Sequence, residues 1–221
     1  MVSEKLQEIY ELLFARFGAQ GWWPGDGRLE IIIGAILTQN TNWGNVEKAI
    51  MNLRGAGCLS VEKLRSISPA ELGELIRPAG YYNLKAGRLK NFVEWLFENY
   101  DGELSAMESI GTESLREELL AVKGIGFETA DSILLYAFGR EVFVVDAYTA
   151  RVAVRHGLIE AGCGYEELRE LFESNLAVDT EMFNEYHALF VRVGKEYCRR
   201  VARCAGCPLE KLPQNVEVED F

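Results

Sequence analysis

No stretch of this 221-residue chain approaches the roughly 18 consecutive apolar residues that a membrane-spanning helix requires. A secretion signal is missing too. The opening run MVSEKLQEIYELLFARFG is charged throughout, and Leu6, Ile9, Tyr10, Leu13, Phe14 and Phe17 recur at helical spacing. That pattern predicts an amphipathic helix and a cytoplasmic protein. Internal repeats, low-complexity tracts and long linkers are also lacking, which leaves a globular chain of one or two domains with ample core. Positive charge is scarce. Thirty-four acidic residues face 23 basic ones, for a net charge of −11. Taken alone this argues against a nucleic-acid partner, because phosphate contacts normally leave a basic footprint. Such contacts would have to be local, drawing on Lys85, Arg88 and Lys90, on Lys123, or on Arg192, Lys195, Arg199, Arg200 and Arg203. Runs of this kind are commonly plain solvated helix faces.

β-structure is nearly absent. The one β-like run, Val142–Val145, has no partner strand and reads as an extended connector. The remainder is helical in rhythm. Ser68-Pro69-Ala70-Glu71 is a capping box with proline at the first helical position. Residues 85–99 continue in helical register. Residues 127–138 place Phe127, Ala130, Ile133, Leu134, Ala137 and Phe138 on one face, with Glu128 and Asp131 on another. Further helices are expected over 147–156 and about 180–198. The fold class is all-α.

Residues 119–146 are the most informative stretch. They read as a helix, a glycine hairpin (Gly124-Ile125-Gly126), a second helix and an apolar run ending in Asp146. Two glycines one residue apart allow close approach of the backbone to a ligand. The amides of the hairpin and of the following helix start could hold a phosphate without a basic side chain. Asp146 stands where an N-cap belongs, and capping is the plain structural role for it. The same amide bonds would keep its carboxylate ionised.

Three patterns occur in order: LTQNT (37–41), VKGIG (122–126) and VVDAYTARV (144–152). Together they resemble the helix-hairpin-helix DNA glycosylase superfamily, in its endonuclease III branch, over about residues 25–210. Trp22-Trp23-Pro24 and Asn40-Thr41-Asn42-Trp43 look most like the 3-methyladenine DNA glycosylase III type. The resemblance implies two helical domains around a cleft. A six-helix barrel carrying the hairpin would span 25–132, and 1–24 with 133–221 would form the second domain. It also implies double-stranded DNA with a damaged base as partner and a monovalent cation at the hairpin. The chain is expected to work as a monomer.

The resemblance assigns roles residue by residue. Lys123, Gly124, Ile125 and Gly126 would meet backbone phosphate. Gln39, with Asn40 beside it, would fill the gap left by a flipped nucleotide; without the resemblance the loop 39–42 is an ordinary polar cap for the next helix. Asp146 would be the catalytic aspartate, stabilising positive charge on the sugar as in glycoside hydrolysis. Bifunctional members place a lysine two residues after the second hairpin glycine, and here that residue is Glu128. A carboxylate cannot form an imine, so strand cleavage by that route is excluded. Glu128 itself is either a second pocket residue or a solvated first-turn residue. Trp43 would stack on the base, with Trp22, Trp23 and Pro24 forming the opposite wall, suited to a cationic alkylated purine. Core packing is the competing role for these tryptophans, since two adjacent residues on a helix cannot face one pocket. Tyr81-Tyr82, after Pro78-Ala79-Gly80, could line the cleft, with packing the plainer role.

The five cysteines are Cys58, Cys163, Cys198, Cys204 and Cys207, an odd number that argues against a disulfide scaffold. Many endonuclease III relatives bind a [4Fe–4S] cluster through C-x6-C-x2-C-x5-C. Here Cys198, Cys204 and Cys207 give C-x5-C-x2-C, and Pro213 stands where the fourth ligand belongs. Completion would need Cys163, Cys58 or an oxygen or nitrogen ligand; otherwise the motif is decayed. Catalysis requires no cofactor in either case. The function that follows is monofunctional excision of an alkylated purine such as 3-methyladenine. Its rivals are a mismatch specificity for adenine or thymine, a bifunctional glycosylase/lyase, and a non-catalytic DNA-binding module.

Overall fold

The protein is described by a computed structural model covering residues 2–217; residues 1 and 218–221 of the expected terminal domain lie outside it. From the N-terminus the α-helices are α1 (Val2–Phe17), α2 (Arg28–Thr38), α3 (Trp43–Gly55), α4 (Val61–Ser66), α5 (Pro69–Leu75), α6 (Tyr82–Tyr100), α7 (Thr112–Ala121), α8 (Phe127–Ser132), α9 (Ala147–Arg155), α10 (Tyr165–Glu173) and α11 (Thr180–Glu196). α8 continues into a π-helical turn at Ile133–Ala137. The described residues contain no strand, and none of their helices is long and apolar enough to cross a membrane. The chain is all-α, and Val142–Val145 is a buried extended connector.

Two compact units result, one of residues 23–140 and the other of 1–22 with 141–221. Residues 133–140 stay with the first unit because their backbone and side chains are tied into it. Arg28 Nε donates to the Ala137 carbonyl at 3.2 Å, and the Arg140 guanidinium donates to the Glu108 and Ile110 carbonyls.

In the 23–140 unit, α2 is the central helix, with Ile32, Ile33, Ile36 and Leu37 essentially solvent-free. A helix apolar on nearly every side must be surrounded, and α2 packs on α3, α6 and α8. Its C-terminal end is fixed by a buried cation: Lys85 Nζ donates to Leu37 O at 2.9 Å and to Ala79 O at 2.7 Å. Burial, helped by the neighbouring Arg88 charge, brings that amine down to about 8. α7 and α8 are clamped by a buried two-pronged ion pair, Arg116 Nε to Asp131 Oδ1 at 2.6 Å and Nη2 to Oδ2 at 3.0 Å. The Ser68–Glu71 capping box is present at the start of α5.

The other unit is built on aromatic packing. Phe143 stacks flat on Phe172 at 4.2 Å, and Tyr186 stacks on Phe190 at 4.5 Å. The Tyr186 hydroxyl donates to Leu6 O at 2.8 Å and so ties α1 to α11. α9 meets α11 at Gly194, where a β-carbon would fall 2.4 Å from the Tyr148 ring, so only glycine permits that approach.

Two outcomes test this account. Arg116→Met leaves a buried aspartate without its partner and should cost about 3–5 kcal/mol in denaturant unfolding, whereas Arg116→Met with Asp131→Leu should recover most of that. Lys85 titrates near 8 when folded and near 10.5 when unfolded. Between those values the unfolded chain binds the extra proton, so this group makes stability rise with pH over that window. Thermal melts of the parent and Lys85→Met across the window should differ in slope by that contribution.

Candidate active site

The loop between α7 and α8 turns at Gly124, whose φ of +100° is open to glycine and strained for other residues. Ile125 N donates to Val122 O at 3.0 Å and Ala130 N to Gly126 O at 2.9 Å, closing the turn into the start of α8. Ile125 is buried and anchors the hairpin, while Lys123, Gly124, Gly126, Phe127 and Glu128 are exposed. α6 supports this loop from behind: Asn91 Nδ2 donates to Lys123 O at 2.8 Å, and the Arg88 stem fills the space that Gly124 leaves open. Glu128 lies in the first turn of α8, where a carboxylate suits the helix dipole.

Gln39 is brought onto the hairpin from the end of α2. Its Nε2 donates to Gly124 O at 3.1 Å and to Thr129 Oγ1 at 2.8 Å, and its Oε1 accepts from Arg88 Nη1. Asn40 adopts a left-handed conformation (φ 54°) in the turn to α3, which Asn42 caps by accepting from Asn45 N at 3.2 Å. Of the local basic cluster on α6, Lys85 is buried and Lys90 is spent on the Leu64 and Arg65 carbonyls. Neither is available as a surface cation, because both cap backbone acceptors that have no helical donor.

Trp22 and Trp23 are not on a helix. α1 ends at Phe17, Gly18 and Gly21 take positive φ, and residues 18–25 form no regular secondary structure. The objection that adjacent helical residues cannot face one pocket therefore lapses. Trp22 falls in the unit of the chain ends and Trp23 in the 23–140 unit. Trp23 stacks on Tyr136 at 4.9 Å and meets Trp43 edge-on at 5.1 Å, both over Gly34 of α2. Trp43 and Pro24 also line a groove with Asp26, Glu47 and Arg54. Tyr81 is highly exposed rather than packed, held at φ 45° before α6. Tyr82 lies half-buried beneath the Arg77 guanidinium.

Asp146 is the N-cap of α9. Its Oδ1 accepts from Thr149 N at 2.7 Å and from Thr149 Oγ1 at 3.0 Å, and Oδ2 lies 3.6 Å from His187 Nε2. The side chain is 12% exposed. Burial pushes the carboxyl up, but His187 and the Thr149 donors outweigh it and hold it below the ordinary aspartate value. Thr149 was legible as the N3 residue of a cap. His187 lies on α11, 41 positions away, where spacing carries no signal.

Cys198, Cys204 and Cys207 line one cavity together with Gln214 and His156. All five cysteines are free thiols, and burial pushes those of Cys198 and Cys207 up, toward the neutral form. Arg155 organises the surrounding loop. Its Nη1 donates to Arg199 O at 2.7 Å and to Cys198 Sγ at 3.4 Å, its Nη2 donates to Arg200 O at 2.9 Å, and its carbonyl accepts from Asn215 N. Among the described residues no group of three or more His, Cys, Asp or Glu is placed to hold a metal ion. The residues present do not fit a four-thiolate cluster, and no step of the chemistry below runs through one.

Comparison with known proteins fits this geometry. The family model described as "HhH-GPD superfamily base excision DNA repair protein" matches residues 33–177. The "Putative DNA repair glycosylase MJ1434" of Methanocaldococcus jannaschii is 50% identical over 210 residues, covering 95% of this chain and 96% of that one. Among solved structures, H. pylori 3-methyladenine DNA glycosylase (MagIII) bound to 1,N6-ethenoadenine aligns with a TM-score of 0.75 and 29% identity, over 88% of this chain and 97% of that one. A non-covalent endonuclease III–DNA complex shares the fold with a TM-score of 0.82 at 21% identity, over 98% and 97% of the two chains. With its family motifs in order on an all-helical scaffold, the chain belongs to the HhH-GPD superfamily of base excision DNA repair proteins and is a DNA glycosylase.

Proposed function

We propose that this glycosylase is monofunctional and excises alkylated purines, 3-methyladenine among them, leaving an abasic site. The observation that carries the reading is Asp146, a nearly buried carboxylate held ionised by two Thr149 donors and His187. An N-alkylated purine is cationic and already a good leaving group. The C1′–N bond breaks with its electron pair going to the purine nitrogen, which becomes neutral. Positive charge develops on the sugar, and an ionised carboxylate in a poorly hydrated site stabilises it. Water then bonds to C1′, and its proton passes to Asp146 and on to solvent.

Base recognition falls to Trp43, supported edge-on by Trp23, since electron-rich faces attract a cationic ring. Trp22 and Pro24 shape the opposite wall under this reading. The hairpin Gly124-Ile125-Gly126, with Lys123, takes a backbone phosphate, with a monovalent cation bound beside it. Gln39, beside Asn40, fills the vacated stack. The absence of a lysine at position 128 supports hydrolysis over imine chemistry, because Glu128 offers no amine. The likeness to the H. pylori 3-methyladenine enzyme, at 29% identity, supports the same lesion class.

Methylated duplex DNA should release free 3-methyladenine, with strand breaks appearing only after alkali. Asp146→Asn should lower single-turnover release by about a hundredfold or more while DNA binding persists. Breaks without alkali, or a borohydride-trapped adduct, would establish a lyase instead. Release by Asp146→Asn at the parental rate would remove the aspartate from the chemistry. The pH profile gives a second check. Asp146 sits below its ordinary value of 3.8, so it imposes no acid limb on the parent down to about that pH. In His187→Gln burial still pushes the carboxyl up while one compensating interaction is gone. The acid limb should move to higher pH with the alkaline side unchanged, and an unmoved limb would show that His187 does not set the aspartate's ionisation.

A further inference from the structure

Both hydrogen-bonding atoms of the Gln39 amide that could pair with an orphaned base have protein partners. The nitrogen donates to Gly124 O and Thr129 Oγ1, and the oxygen accepts from Arg88. The Arg88 stem lies across Gly124, where a β-carbon would fall 2.4 Å from Arg88 Cγ and 3.2 Å from Nε, which keeps the guanidinium beside the hairpin whichever acceptor it takes. That Nε is buried and has no hydrogen-bond partner. A guanidinium is thus committed to a neutral amide oxygen, at the hairpin, with one of its own donors unspent. Charge-assisted bonds to phosphate oxygen are stronger than bonds to a neutral carbonyl and can engage two donors at once.

We propose that Arg88 is a positioning residue that latches Gln39 to the hairpin and releases it when a DNA phosphate takes the guanidinium. The inference rests on the reading of Gln39 as the residue that fills the vacated stack. It adds a condition to that reading: insertion follows contact with the DNA backbone instead of preceding it. In the free enzyme the amide is seated, its oxygen on Arg88 and its nitrogen on the hairpin. Once Arg88 turns to phosphate, Gln39 keeps only the bonds to Gly124 O and Thr129, which water or a base edge can replace. Thr129 is buried, so it holds the far side of the amide without carrying charge.

The test follows duplex unstacking by 2-aminopurine fluorescence in stopped flow on undamaged and abasic DNA, with binding measured across a salt series. Arg88→Met should unstack undamaged duplex severalfold faster than the parent and lower the salt slope by about one phosphate contact. Thr129→Val should also speed unstacking while leaving the salt slope alone, which guards against Arg88→Met failing to fold. Both accelerations should vanish in a Gln39→Ala background. Unstacking that is unchanged or slower in both variants overturns the latch, as does acceleration that persists without Gln39. If Gln39→Ala alone leaves unstacking at the parental level, the stack-filling reading of Gln39 itself falls and takes the latch with it, an outcome distinct from the other two.

Discussion

The Arg116–Asp131 pair is the constraint on which the hairpin geometry of the 23–140 unit depends. Both side chains are almost wholly removed from water and meet through two parallel bonds. Such a pair adds little net stability, because desolvation consumes most of the Coulombic gain. Its effect is on geometry. A crossing of α7 and α8 that separated the two charges would leave both buried and unpaired, so a single arrangement is strongly preferred. The hairpin is the turn between these two helices, and its position follows from their crossing. Gln39, Thr129 and Arg88 are then arranged around a loop whose place is already settled.

The acidity of the chain looks different once its cations are located. Lys85 and Lys90 cap backbone carbonyls, Arg116 and Arg155 are buried, and Arg54 pairs with Glu30. These cations hold the fold together and contribute little to an outward basic field. Most of the other lysines and arginines are exposed, and under the proposed function the glycine hairpin adds backbone amides to them as uncharged phosphate donors. Under the proposed function, affinity comes from a few shaped contacts, and Arg88 is a cation beside the hairpin whose Nε donor is unspent.

Local signals were the legible part of the sequence. The Ser68 capping box, the amphipathic α1, the connector Val142–Val145 and the cap at Asp146 all depend on residues within one or two turns of each other, and each is in place. What escaped depends on distance in sequence or on a single backbone angle. His187 reaches Asp146 from another helix, and Arg88 reaches Gln39 across 49 positions. The helical reading of Trp22 and Trp23 fails because α1 stops at Phe17, with Gly18 and Gly21 at positive φ, and the pair lies in an irregular segment. Lysine at position 85 reads as a surface residue in any one-dimensional pattern. Only the unsatisfied carbonyls at Leu37 and Ala79 explain why it is inside.

The C-terminal loop brings three cysteines into one cavity and is also held by a set of backbone contacts. A cluster would tie Cys198, Cys204 and Cys207 together through their sulfurs, and a missing fourth ligand would leave that tie open. In this chain the same loop is tied through its backbone. Arg155 gathers the carbonyls of Arg199 and Arg200, Arg151 takes that of Cys198, and His156 meets the carbonyl of Pro213. A guanidinium satisfies several acceptors at once, as a metal centre satisfies several thiolates, but it needs no deprotonated sulfur. Proline in place of the fourth cysteine is then no defect, because its carbonyl is one of the groups the network uses.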